Sequence, residues 1–193
     1  MKFKDIPRFI GQGNYACNVE WARLESWLNR QREDYGDRLE LDPDFQRAHV
    51  WDEKKQIAYV EFILRGGKSA RALLWNAPGY FHGGSQSMVL VDGKQRLEAV
   101  RKFMRNDLPA FGATLSQFTD DLRVLDCDFL MHVNELESRS DVLRWYLEIN
   151  SGGVVHTNEE IEKVRKLLEQ EEVREVVSFS SEVLERAKRL GRA

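Results

Sequence analysis

The chain has 193 residues, 42% apolar and 32% charged, with a formal net charge of −3. A chain of that length can bury one ordinary core and carry a helical appendage. Its near-balanced charge argues against nucleic-acid binding driven by overall charge, while leaving room for a local basic patch. No stretch approaches the roughly 18 apolar residues of a membrane span, and "MKFKDIPRFIGQG" holds too short an apolar run for a signal peptide. Cys17 and Cys127 lie far apart and form no CxxC pair, so the reading is a disulfide-free protein of a reducing, cytoplasmic setting.

In chain order, "NVEWARLESWLNRQRED" predicts a helix with Trp21, Leu24 and Leu28 on one face and Asn18 as its N-cap. Glu20 and Glu25 read as solvated on it. "RLELDPDFQRAHVW" is an extended piece broken by Asp-Pro. "DEKKQIAYVEFILRGG" predicts a helix capped by Asp52, buried along Ile57, Val60 and Leu64 and ended by Gly66-Gly67. "RALLWN" and "MVLV" are β-prone runs joined by a Gly- and Ser-rich connection, and a helix burying Leu97, Val100 and Met104 follows "VDGKQR". "LRVLDCDFLMHV" alternates as a strand, and "SDVLRWYLEIN" is a helix that stops at "NSGG". From Thr157 the chain is rich in Glu, Arg and Lys and lacks Pro. A Thr157–Glu160 capping box opens one or two helices packing along Ile161, Val164, Leu167 and Leu168. The fold class is therefore α+β, a small mixed sheet with interleaved helices, with residues 1–156 as the main domain and 157–193 as a helical extension packed on it.

The stretch "VDGKQR" admits two readings. Asp92 at the N-cap and Gln95 at N3 have capping-box spacing, Gly93 permits a tight turn, and Lys94 and Arg96 are then merely solvated. The same geometry also makes a phosphate site. A helix start carries the positive end of the macrodipole, Arg96 can grip phosphate oxygens in pairs, and Lys94 adds a second cation. The G-x-x-x-x-G-K-[ST] spacing of a P-loop is missing.

Elsewhere the candidates are weaker. His49, His82, His132 and His156 show no zinc-ligand spacing. Asp126 and Asp128, two apart, would share one side of a strand as a divalent-cation pair or as a solvent-facing edge. Trp21, Trp27, Trp75 and Trp145 read as core. Trp51, beside a Gln-Arg pair, could stack on a base.

Three segments in order, "LDPDFQRAHVW", "LVDGKQRLEAVRKF" and "YLEINSGGVVHTNEE", resemble the ParB/sulfiredoxin-like superfamily, and more closely the DGQQR-motif domain at the N terminus of GmrSD-type restriction and phage-defence proteins. The resemblance runs from about Tyr15 to about Val164. It implies an α+β nucleotide-binding domain with nucleoside triphosphate hydrolysis, linked to DNA transactions or phage–host defence. Asp92, Gln95 and Arg96 would be catalytic. Gln46, Arg47, Gly93, Lys94, Asn150, Gly152 and Gly153 would bind the nucleotide, with magnesium accompanying the triphosphate. Lys94 departs from the family's first Gln, which places binding ahead of hydrolysis. The larger relatives carry an HNH-type nuclease domain that has no counterpart here, and the cysteine that the sulfiredoxin branch needs is missing from 92 to 96. A separate nuclease or defence protein is the partner this implies.

Two other functions fit the residues. One is a non-catalytic DNA-binding module in which Arg8, Arg47, Lys68, Arg71, Lys94, Arg96, Arg101, Lys102 and Arg105 converge into a basic groove. The other is a phage-encoded interaction or regulatory protein without a nuclease domain, docking through its charged C-terminal helices.

Overall fold

A computed structural model describes residues 2, 5–6, 15–46, 50–85, 87–151 and 158–190, with the side chains of 151, 158 and 183–190 excepted. Its contacts divide the chain into two units, Met1–Leu136 and Glu137–Ala193. The first unit is a five-stranded mixed sheet. Strands β1 (Tyr15–Glu20), β2 (Leu39–Glu40), β3 (Ala72–Asn76), β4 (Met88–Asp92) and β5 (Asp128–Asn134) lie in the order β1-β5-β3-β4-β2. The pairs β1–β5 and β3–β4 are antiparallel, whereas β3–β5 and β4–β2 are parallel. Between the strands run α1 (Leu24–Tyr35), α2 (Glu53–Leu64) and α3 (Lys94–Met104), so this unit is α+β as its patterning predicts.

Strand periodicity sets the core. Val19, Phe129, Met131, Val133, Leu73, Trp75, Met88 and Leu90 form one buried face, in register across β1, β5, β3 and β4. Leu24 and Leu28 of α1, Val60 and Ile63 of α2, and Leu97, Val100 and Phe103 of α3 complete the cluster. Trp21 packs its ring 6.0 Å from Phe129 and 6.5 Å from Phe103. Trp27 meets Trp75 edge-on at 5.4 Å.

Several local expectations are corrected. Asn18 caps no helix: residues 15–20 form β1, with Asn18 opposite Leu130, and α1 starts only at Leu24 after a 3-10 turn. Alternation in "YACNVE" is satisfied by pairing with β5, and this long-range pairing overrides the local capping signal. Asp52 does cap α2, accepting from the Lys55 amide at 2.8 Å. The buried stripe of α2 is Gln56, Tyr59, Val60 and Ile63, with Ile57 and Leu64 only half-buried. Glu25 is not simply solvated, because Arg101 (2.7 Å) and Arg105 (3.1 Å) hold it and tie α1 to α3.

The second unit is a helical pair, α4 (Arg139–Ser151) and α5 (Asn158–Leu190). Side-chain ties between them include Arg139–Glu171 at 3.7 Å, Arg144–Glu172 at 2.7 Å and Ser140–Glu175 at 3.0 Å, with Val164 buried. The contacts thus group α4 with α5, whereas the sequence placed a boundary at 156/157. The expected Thr157 cap lies outside the described residues.

Arg71 and Asp128 form an ion pair at 2.6 Å with both side chains mostly buried (8% and 13% exposed). Removing one partner leaves an uncompensated charge in the core margin. Arg71→Ala is expected to cost about 3–5 kcal/mol in chemical denaturation, with part of the loss recovered when Asp128→Ala is added.

Burial alone would raise the Glu25 carboxyl, but the Arg101 and Arg105 guanidiniums outweigh it and hold the group below the ordinary range. A depressed folded-state value stabilises above the unfolded-state value and is lost as pH falls through the folded one. The Tm advantage of wild type over Glu25→Gln should therefore shrink as pH is lowered below about 4.3, the ordinary carboxyl value, and persist at neutral pH.

Candidate functional site

The site is built on the passage from β4 into α3. Met88, Leu90 and Val91 anchor the strand in the core, and Gly93 turns the chain at φ 105°. A Cβ at Gly93 would stand 2.3 Å from Leu73 Cδ2 and 3.3 Å from Arg96 Nη2. Conformation and space thus both demand glycine here.

The expected capping box does not form. Asp92 is the last residue of β4, opposite Leu74, so the strand runs one residue further and Gly93 becomes the N-cap with no side-chain cap bond. The Asp92 carboxylate instead accepts from Arg96 Nη2 at 2.6 Å, one turn on. Gln95 turns away from its own helix. Its Oε1 accepts the backbone amides of Val50 (3.0 Å) and Trp51 (3.1 Å).

Three side chains therefore hold residues 42–46 and 50–51 at this junction. Gln46, buried, donates Nε2 to the Leu90 carbonyl at 2.5 Å, beyond the two-residue strand β2. Gln95 holds Val50 and Trp51, and Lys94 forms an ion pair with Asp42. Buried amides of this kind are costly unless bonded, which makes the bracket specific. The two sequence segments carrying Gln46 and Gln95 thus come together at the start of α3.

Arg96 is only 21% exposed at its side chain, and its buried Nε has no hydrogen-bond partner. Tyr59 packs nearby. Burial pushes its phenol well above the ordinary value, although the Arg96 and Arg71 cations pull it down. Its hydroxyl donates to the Ala70 carbonyl at 2.9 Å. The Trp51 ring lies 5.4 Å from the Tyr59 ring and packs on the core, so much of its surface is already used.

The other expected site residues are not assembled here. Arg47 and His49 lie outside the described residues, as do Gly152 and Gly153. Asn150 belongs to α4 in the second unit, where its Nδ2 donates to the Tyr146 carbonyl at 2.7 Å.

Asp126 and Asp128 do not act as a pair. β5 begins at Asp128, Lys68 holds Asp126 at 2.6 Å, and Arg71 holds Asp128. Among the described residues, no cluster of three or more His, Cys, Asp or Glu side chains has metal-site geometry. Of the cations named for a basic groove, Lys68, Arg71, Lys94, Arg96, Arg101 and Arg105 each meet a carboxylate, Lys102 is half-buried on α3, and Arg8 and Arg47 lie outside the described residues. No helix among the described residues is long and apolar enough to cross a membrane.

Two cavities line other parts of the first unit. One, of about 220 Å³, is walled by Leu64, Phe103, Phe111, Phe118 and their neighbours, and one of about 260 Å³ lies by Glu20, Arg123 and Cys127.

Sequence reasoning missed Asp42 and Tyr59. Asp42 precedes a proline and looks like turn chemistry, and only the approach of residues 42–46 to the junction gives it Lys94. Tyr59 sits within an ordinary amphipathic helix and carried no separate signal.

Compared with protein-family models, curated proteins and solved structures, the chain shows no match.

Gly93→Ala is expected to destabilise the protein by about 2–4 kcal/mol, from the disfavoured backbone conformation plus overpacking against Leu73. Urea unfolding measures it. A loss below half a kcal/mol would show that the turn relaxes freely.

Proposed function

We propose that the first unit is a nucleotide-binding domain of the DGQQR, ParB/sulfiredoxin-like class, which takes the anionic end of a nucleoside triphosphate at the start of α3. The observation that carries this reading is Arg96: a guanidinium with one buried, unpartnered nitrogen, held at a glycine turn where two Gln-bearing segments converge. An orphaned buried donor is costly, and a ligand acceptor would satisfy it.

Binding on this reading is an exchange. Asp92 and Asp42 neutralise Arg96 and Lys94 in the resting site. Phosphate oxygens then replace Asp92 on Arg96 with charge-assisted hydrogen bonds. The helix dipole favours negative charge at the same end of α3. Asp92 would be the carboxylate to hold a magnesium ion accompanying the triphosphate. When bound, magnesium neutralises charge on the phosphates and supports hydrolysis.

Gln46 and Gln95 serve as brackets in this scheme. Because Gln95 Oε1 already accepts two backbone amides, its support is for a preorganised pocket more than for a mobile water-orienting group. Linkage to DNA transactions or phage defence, and pairing with a separate nuclease, follow from the resemblance.

Isothermal calorimetry with a non-hydrolysable triphosphate, with and without magnesium, tests the site, and phosphate release with ATP and GTP tests turnover. Arg96→Ala should weaken binding about tenfold to a hundredfold, the worth of a charged hydrogen bond. Asp92→Asn should bind at least as well as wild type without magnesium and lose the magnesium-dependent gain. No binding by wild type, or equal binding by Arg96→Ala, overturns the assignment.

A further inference from the structure

The connection between α3 and β5 leaves apolar side chains in solvent. Phe111 (48% exposed), Phe118 (38%), Val124 (68%) and Leu125 (43%) all belong to it. The same four line the cavity of about 220 Å³, together with the more deeply set Leu64, Phe103, Leu115 and Leu122. The exposed members form its mouth and the others its wall. A contiguous apolar patch around an open cavity marks an interaction site rather than a stray surface residue.

Phe111 is held at this mouth against its backbone preference. Its φ of 52° is left-handed, where a bulky residue is an outlier. Ala110 and Ala113 exchange amide bonds at 2.8 and 3.0 Å across the turn. Glu61 Oε1 accepts the Phe111 amide at 2.7 Å, and the Arg65 guanidinium lies 5.0 Å over the ring. Strained residues persist where the surroundings over-determine them, and they cluster at ligand clamps.

Size and charge select the occupant. An apolar cavity of about 150 Å³ holds a benzene ring, and pockets for drug-sized ligands start at about 300 Å³. The space here therefore takes one bulky side chain, and the exposed mouth offers contact that a lone ring would leave uncovered. A second cavity, of about 260 Å³, adjoins it through Leu122, Val124 and Leu125 and is lined by Glu20, Arg123 and Asp126. Across both, each cation already has a carboxylate: Arg23 meets Glu20, Arg65 meets Glu61, Lys68 meets Asp126 and Arg123 meets Asp121. Asp120, on the wall of the apolar cavity, is the carboxylate left over, with no ion pair among the described residues. The local balance is thus acidic, and the paired groups are mostly exposed and weakly held. We propose that this surface docks a segment of a partner protein that carries one aromatic or leucine-sized side chain beside a lysine or arginine. The apolar side chain fills the smaller cavity and the cation meets Asp120, as in a buried anchor with a polar rim. The surface lies within the first unit and is independent of the nucleotide reading.

The test presents the full chain to a phage-displayed library of random dodecapeptides and measures the selected peptides by fluorescence polarisation. They are expected to share a Trp, Phe or Leu next to a Lys or Arg. Val124→Glu should weaken their binding about tenfold or more, because it sets a charge where the apolar side chain docks. Asp120→Lys should weaken it about tenfold by bringing like charges together. Both positions are exposed, and unchanged thermal melts confirm that the variants fold. A selection that yields no such peptides overturns the proposal, and so does binding that either variant leaves unchanged. Indole that binds as tightly as the peptides shows a small-molecule pocket instead. A dimer in light scattering that Val124→Glu dissociates shows a second copy as the occupant. Either of these results also overturns it.

Discussion

The first unit turns on one backbone position. Gly93 leaves β4 at φ 105° with Leu73 so close that a single added carbon would collide. This contact lets α3 start immediately at the end of the strand and aims Arg96 back at Asp92. Any wider turn would carry the helix start away from Gln46, Val50 and Trp51 and leave Gln95 without its two amides. Strand end, helix start and the returning segment therefore share one geometric condition.

That condition is reinforced by amides, because the sheet gives out where the site begins. β2 has two residues, and the described residues beyond it, 41–46 and 50–52, lie in no ladder. Gln46 on Leu90, Gln95 on Val50 and Trp51, and Gln56 on the Trp51 carbonyl at 2.8 Å replace ladder bonds with side-chain bonds. Buried backbone groups must be paired, and here glutamine supplies the pairing. Lys94 and Arg96 are balanced by Asp42 and Asp92, so the resting junction has no large field of its own.

The second unit follows a different logic. α4 and α5 are joined by a small apolar contact and a row of Arg–Glu pairs, each of which is partly exposed and weak alone. The pairing ends with α4, while α5 goes on with its apolar residues on the other side. Past the end of α4, Val173, Val176 and Val177 stand exposed on the side of α5 turned away from it.

Much of this was readable in the chain. Alternation in "MVLV" and "DFLMHV", the Asp52 cap and the Gly93 turn depend on neighbours within a few residues, and local sterics and hydrogen bonding decide them. The α+β class and the place of Arg96 at a helix start follow from the same short-range rules. Tertiary structure decided the rest. It drew "YACNVE" into a strand rather than a helix cap, because β5 offered a full ladder. It gave Glu25 to two arginines 76 and 80 residues away. It moved Asp92 from cap to ion pair, since pairing with Leu74 kept that residue in the sheet. It spent Gln46 and Gln95 on bracing. Periodicity records which side of an element is apolar, but the partner of a buried polar group is set by whichever distant atoms the packed fold brings within hydrogen-bond reach.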